Sequence, residues 1–166
     1  MVYGIKAADI YPENATIQMS SYRSGLKLLS LLGNTTSYLI VDSKMKNIIE
    51  SNSNVEIEYL GFDLLDLEGR VHSDDYFIVN PIGARECLNH DLSEVEYFEE
   101  DRNEVVDVHR FVLDPSKLED EPILFRIKEE PTEYVISEAL LRILRDEKFT
   151  NIFVEEIEQV EVKTRS

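Results

Sequence analysis

The sequence predicts an α+β fold, a single domain built on a mixed or antiparallel sheet with about three helices. Three observations carry this. Apolar and polar residues alternate in many runs, such as Val55-Glu56-Ile57-Glu58-Tyr59, and that period belongs to strands with one wet face. Such runs outnumber the stretches with helical spacing, and short turns join most of them. Finally, the 166 residues hold no internal repeat, low-complexity tract or Pro/Gly/Ser-rich linker at which a second domain could begin. A chain of about 150 residues buries roughly 68–70% of its unfolded surface, so one core suffices without staples.

In chain order, "YGIKA" and "ATIQM" suit short strands on either side of Pro12. Leu28, Leu31 and Leu32 lie at helical spacing before Gly33-Asn34, a helix stop; the same run also fits a buried strand, and the stop favours the helix. Tyr38 to Val41 suits a buried strand, after which Asp42 can cap a helix with Met45, Ile48 and Ile49 on its apolar face. The alternating run from Val55 leads through a turn at Gly69 into a second strand, "YFIVN", which Asn80-Pro81 terminates. "IGARECLNHDLS" reads as a helical turn and a loop. "EVEYFEEDRNEVVDVHRFVLD" reads as a hairpin with its tip at Glu99 to Asn103, Val106, Val108 and Arg110 on one side and Asp107, His109 and Phe111 on the other. Ile123 to Lys128 alternates, which allows Arg126 to lie on the wet face opposite Phe125 and Ile127. Ser137 stands at an N-cap position before a helix packed through Leu140, Ile143 and Leu144, and "NIFVEEIEQVEV" predicts a last strand.

The formal charge is −17, and it is unevenly placed. Residues 51–166 hold 30 acidic and 12 basic side chains, net −18, whereas residues 1–50 hold 4 and 5. This field repels nucleic-acid phosphate and steers basic partners toward the chain. "MVYGIKAADI" has neither the basic nor the apolar region of a secretory signal, and the apolar runs fall short of the ~20 residues of a membrane helix. The expected location is the cytoplasm, with neither nucleic acid nor membrane as partner. One cysteine, Cys87, permits no internal disulfide.

Catalytic signals are weak. Metal ligands could come from His72 with Asp74 and Asp75, from His90 with Asp91, or from Asp107 and His109 on one face of a strand, but each set lacks a defined third or fourth ligand. No G-x-S-x-G elbow or glycine-rich phosphate loop occurs, and Cys87 lies in "RECLN" without a neighbour that would activate it. Neither cofactor nor metal is expected. The acidic surface is the feature that remains. Glu94, Glu96, Glu99, Glu100, Asp101 and Glu104 surround the predicted hairpin with Tyr97 and Phe98 among them, and Glu155, Glu156 and Glu158 line the last strand. Charge of one sign around aromatic anchors is how protein interfaces combine fast association with affinity.

The order of "YFIVN", an acidic hairpin ending in "RFVLD", "LFRI", "VISEALLRIL" and "FTNIFV" resembles a family of immunity proteins of bacterial polymorphic toxin systems, numbered eleven and first catalogued as a domain of unknown function. The matching positions are Tyr76, Phe77, Asn80, Leu113, Asp114, Lys117, Phe125, Arg126, Ser137, Glu138, Leu140, Phe149 and Phe153, within roughly Tyr38 to Val154. The resemblance implies a non-enzymatic inhibitor that binds a cognate toxin domain, with Asn80, Phe125, Arg126 and Ser137 as scaffold and Arg126 paired to a nearby carboxylate. Together with the charge, it points to a basic toxin, a nuclease being a natural candidate. A small metal-assisted hydrolase using Asp107 and His109, and an acidic adaptor without a toxin partner, are the competing readings.

Overall fold

The computed structural model describes residues 3–21, 27–98, 100, 104–118 and 120–160. Strands β1 (Thr16–Gln18), β2 (Leu31–Leu32), β3 (Leu39–Asp42), β4 (Ile57–Leu65) and β5 (Val71–Pro81) form a five-stranded sheet in the order β1-β4-β5-β3-β2. β1 runs parallel to β4 and the other pairs are antiparallel, so the sheet is mixed. Three two-stranded ribbons follow: β6 (Glu94–Tyr97) with β7 (Val105–Arg110), β8 (Val112–Leu113) with β11 (Glu158–Gln159), and β9 (Leu124–Arg126) with β10 (Tyr134–Ile136). The α-helices are α1 (Ser43–Asn52) and α2 (Glu138–Asp146), with short 3-10 turns at Ala8–Ile10 and Pro115–Lys117. This is the α+β class that the sequence predicts.

Local chemistry explains the helix starts. Asp42 Oδ1 accepts the Met45 N–H at 2.8 Å, and Ser137 Oγ accepts that of Leu140 at 3.2 Å, so each cap satisfies a donor left free in the first turn. Between β4 and β5, Asp66 Oδ1 accepts from both Glu68 and Arg70 N–H at 2.9 Å while Gly69 takes φ +78°, which closes the turn.

The alternation of strand side chains divides the core. Ile40 of β3, Leu60, Phe62 and Leu64 of β4, and Tyr76 and Ile78 of β5 pack on one face of the large sheet under Ala7, Ile17 and Leu28. Val41 and Val79 point to the other face, against Met45 and Ile49 of α1, Leu140 and Leu144 of α2, and Leu124 of β9. On β9 the alternation continues: Phe125 and Ile127 enter a third cluster with Cys87, Leu88, Val108 and Leu113, and this cluster carries the β6–β7 ribbon.

Several sequence expectations are corrected. The leucine run forms no helix among its described residues; Leu31 pairs with Val41 and Leu32 with Ile40. Leu31 packs with one cluster and Leu32 with the other, so these neighbours straddle the sheet, and cross-strand pairing outweighs helical spacing. Asn34 closes the link to β3 rather than a helix, its Oδ1 accepting from Thr36 and Tyr38 N–H at 3.0 Å. "YGIKA" is held without strand pairing, and the last strand shrinks to Glu158–Gln159, beyond a segment whose Lys148 and Asn151 take φ of 58° and 65°. Phe153 is consequently 88% exposed. On β7, bulges opposite Glu94/Val95 and Glu96/Tyr97 break the alternation, leaving Val108 buried but Val106 exposed.

Candidate functional site

The acidic ribbon stands on the third cluster. Val95 and Val108 face each other across β6 and β7 and pack inward with Val105. Outward, Glu96 is opposite Asp107, a like-charge pair that is unfavourable on its own. His109 lies between them, its Nε2 3.0 Å from Glu96 Oε2 and its Nδ1 3.5 Å from Asp107 Oδ2. At the base, Arg110 holds Glu158 through two contacts of 3.0 and 2.5 Å, which ties the ribbon to β11, and Glu158 holds the Arg110 guanidinium still more firmly protonated.

Exposed apolar side chains gather here. Phe98 is 48%, Val106 46% and Tyr97 36% exposed, and Leu92 on the preceding turn is 52% exposed. Glu94, Glu96, Glu100, Glu104 and Asp107 are exposed on the same ribbon and its tip. Glu99 and Asp101, which the sequence places at that tip, lie outside the described residues.

The sequence reading missed what holds Tyr97. Its hydroxyl is 2.9 Å from His90 Nδ1, and His90 Nε2 is 3.0 Å from Glu129 Oε1. The Glu129 side chain is only 8% exposed. Asn89 fixes the turn that carries His90, its Oδ1 accepting from Asp91 and Leu92 N–H at 3.1 Å. His90 is a metal candidate in the sequence, and Glu129 is one acid among 34; no local signal joins them.

The motif positions have different work. Asp114 accepts the Ser116 N–H at the start of the short 3-10 turn, and Lys117 Nζ donates to the Leu88 carbonyl at 2.7 Å, so both shape the loop leading to His90. Phe125 and Ser137 serve the core and the α2 cap. Arg126 departs from expectation: it is 1% exposed, because β9 is covered on both sides. Its guanidinium donates to the Pro131 carbonyl at 2.6 Å and the Tyr134 hydroxyl at 2.7 Å, approaches Asn80 Oδ1 at 3.5 Å, and lies 4.2 Å from the centre of the Tyr134 ring. These three acceptors are a backbone carbonyl, a hydroxyl and an amide oxygen. Asn80, also buried, passes the network on through Nδ2 to Glu58 Oε2 and the Ile5 carbonyl, each at 3.0 Å. Glu58 in turn accepts the Ala7 and Ala8 N–H groups at 2.9 and 3.1 Å. Beside this, Gly83 N–H donates to the carbonyl of Gly4, where any Cβ would sit 2.4 Å from the Gly83 oxygen. The chain start is thus stapled across the ends of β4 and β5.

Catalytic geometry does not assemble at the sites weighed in the sequence. The two carboxylates beside His109 approach opposite ring nitrogens, so they and the imidazole cannot converge on one ion, and among the described residues no group of three His, Cys, Asp or Glu side chains could hold a metal. Cys87 is fully buried, and burial, followed by the nearby Glu129 carboxylate, pushes its thiol up to about 11. The cavity of about 160 Å³ beneath α1 and α2 is lined by Leu, Ile, Met, Phe and Val side chains, with Tyr134 as its one ionisable group.

Fold and surface define an acidic α+β protein that displays aromatic side chains among carboxylates on the outer face of one ribbon. The model of the immunity protein family (Imm11) matches residues 5–159, from the stapled chain start to β11, and the chain belongs to that family. Membership makes it an immunity protein and implies a partner toxin. No curated protein matches the chain. Among the described residues no helix is long and apolar enough to cross a membrane.

Proposed function

We propose that this immunity protein neutralises a cognate toxin domain by non-covalent binding through the β6–β7 ribbon, without chemistry of its own. The observation that carries the reading is the concentration of exposed Tyr97, Phe98 and Val106 among Glu94, Glu96, Glu100, Glu104 and Asp107. Apolar and aromatic side chains supply anchors that lose water on docking, and the carboxylates set approach and orientation. Glu99 and Asp101 belong to the same acidic run in the sequence. Such a ribbon fits a toxin with a positive cleft, as an enzyme acting on anionic substrates carries, and a nuclease meets that description. A stable pair of this kind buries on the order of 1,600 Å² in total.

The test is co-expression with a candidate toxin domain, taken from the C-terminus of a large toxin gene adjoining the one for this chain, scored by growth rescue and co-purification. Charge reversal of Glu94, Glu96, Glu100 and Glu104 to Lys is expected to slow association by about ten- to a hundredfold at low salt, and the wild-type rate is expected to fall as salt rises. Rescue and association rates unchanged by the reversal would place the toxin on another face.

A further inference from the structure

Val95, Val108 and, opposite Tyr97, Val105 pack the ribbon on the third cluster through one face, but a two-stranded ribbon is at best marginally stable alone, and two bulges loosen its ladder further. Tyr97 lies at the far end of β6, next to Phe98, where the ribbon enters its acidic tip. The described polar contact that holds this end to the body is the one from the Tyr97 hydroxyl to His90.

We propose that His90 is a positioning residue for toxin binding, fixing the Tyr97 ring, and with it the outer half of the ribbon, against buried Glu129. This rests on the reading of the ribbon as the toxin-binding face. An ionised carboxylate only accepts, so the geometry is met by an Nε2–H of His90 donating to Glu129 Oε1, with Nδ1 turned to the Tyr97 hydroxyl. The imidazole bridges hydroxyl and carboxylate, as in histidines whose far nitrogen is oriented by an acid. Glu129 Oε1 takes the His90 contact, while Oε2 is buried without a hydrogen-bond partner. A half-satisfied buried carboxylate is costly, which makes the bond to His90 strong relative to a surface contact. Both ends of the imidazole are therefore constrained, one by a buried acid and one by the aromatic residue that would meet the toxin. An anchor ordered before encounter loses less entropy on binding, and that gain appears mainly in the dissociation rate.

Two measurements test this. In the free protein, histidine ring ¹⁵N spectra should show His90 in a single Nε2–H tautomer, with Tyr97→Phe moving the Nδ1 resonance and Glu129→Gln the Nε2 resonance; a freely exchanging ring would overturn the chain itself. With the toxin domain that co-purifies, Tyr97→Phe and His90→Gln are each expected to speed dissociation about tenfold, the worth of one well-placed hydrogen bond. The double variant should match either single one rather than their product, since both remove the same constraint. Multiplicative effects, or none, would overturn the proposal. The Glu94→Lys, Glu96→Lys protein separates the two failures: if that reversal slows association while the cycle shows no coupling, His90 alone is misassigned. If the reversal has no effect either, the ribbon is not the binding face and both ideas fall.

Discussion

Replacing Arg126 with Met removes the polar centre of the fold while roughly keeping its volume. Two short hydrogen bonds disappear, to Pro131 O at 2.6 Å and Tyr134 Oη at 2.7 Å, together with the contact to the Tyr134 ring. Each acceptor left unsatisfied costs about 1–3 kcal/mol, and a desolvated cation–π contact contributes up to about 2 kcal/mol. Against this stands relief from burying a charge that is 1% exposed, a penalty of several kcal/mol in principle. The contacts together are worth about 2–8 kcal/mol and are expected to outweigh that relief, each kcal/mol of net loss lowering Tm by roughly 2–4 °C for a chain of this length. Arg126→Lys keeps the charge but not the planar fork, so it should fall between the two. Calorimetry or circular-dichroism melting measures the loss. An unchanged or higher Tm in Arg126→Met would refute the reasoning, showing that burial of the guanidinium costs more than its contacts return.

Two further outcomes follow from titrating groups. Burial alone would raise the Glu58 carboxyl, but the Ala7 and Ala8 N–H groups, the Asn80 amide and Lys6 together hold it below its ordinary value. A folded-state value below the unfolded one stabilises at pH above the unfolded value of about 4.3 and is lost as pH falls through the folded value. Glu58→Gln should therefore melt below wild type at pH 7, with the gap closing on acidification; a gap constant down to pH 3 would contradict this. Cys87, fully buried with its thiol pushed up to about 11, should resist thiol reagents in the native protein at pH 8 and react fully in denaturant. Native modification at the rate of a free thiol would show that the third cluster opens readily.

How much of this was legible in the sequence depended on whether the signal was local. Asp42 and Ser137 announced their helices because a cap acts within one turn; in the large sheet, β3 followed from a buried apolar run and β4 from alternation. The leucine run failed because helical spacing and a buried strand look alike until a partner strand chooses between them. Arg126 failed for a related reason. Alternation implies a wet face only when one side of a strand is uncovered, and β9 is covered on both. At the ribbon, the acidic residues and Tyr97 with Phe98 were readable as composition, but the partnership of Tyr97 with His90 and Glu129 arises where a turn and the end of β9 meet in space.

The arrangement also separates stability from recognition. Arg126, Asn80 and Glu58 join β9, β5, β4 and the chain start through buried polar contacts, so a substitution in any of them leaves a partner unsatisfied and is felt as lost stability. Glu94, Glu96 and Glu104 are exposed on a ribbon that contributes mainly Val95, Val105 and Val108 to the core. Exposed charges of this kind carry little folding energy, while the same charges act on a partner across solvent before contact is made. Substitutions in the two regions should therefore be nearly additive in stability, and changes at the carboxylates should alter association with a toxin while leaving Tm almost fixed.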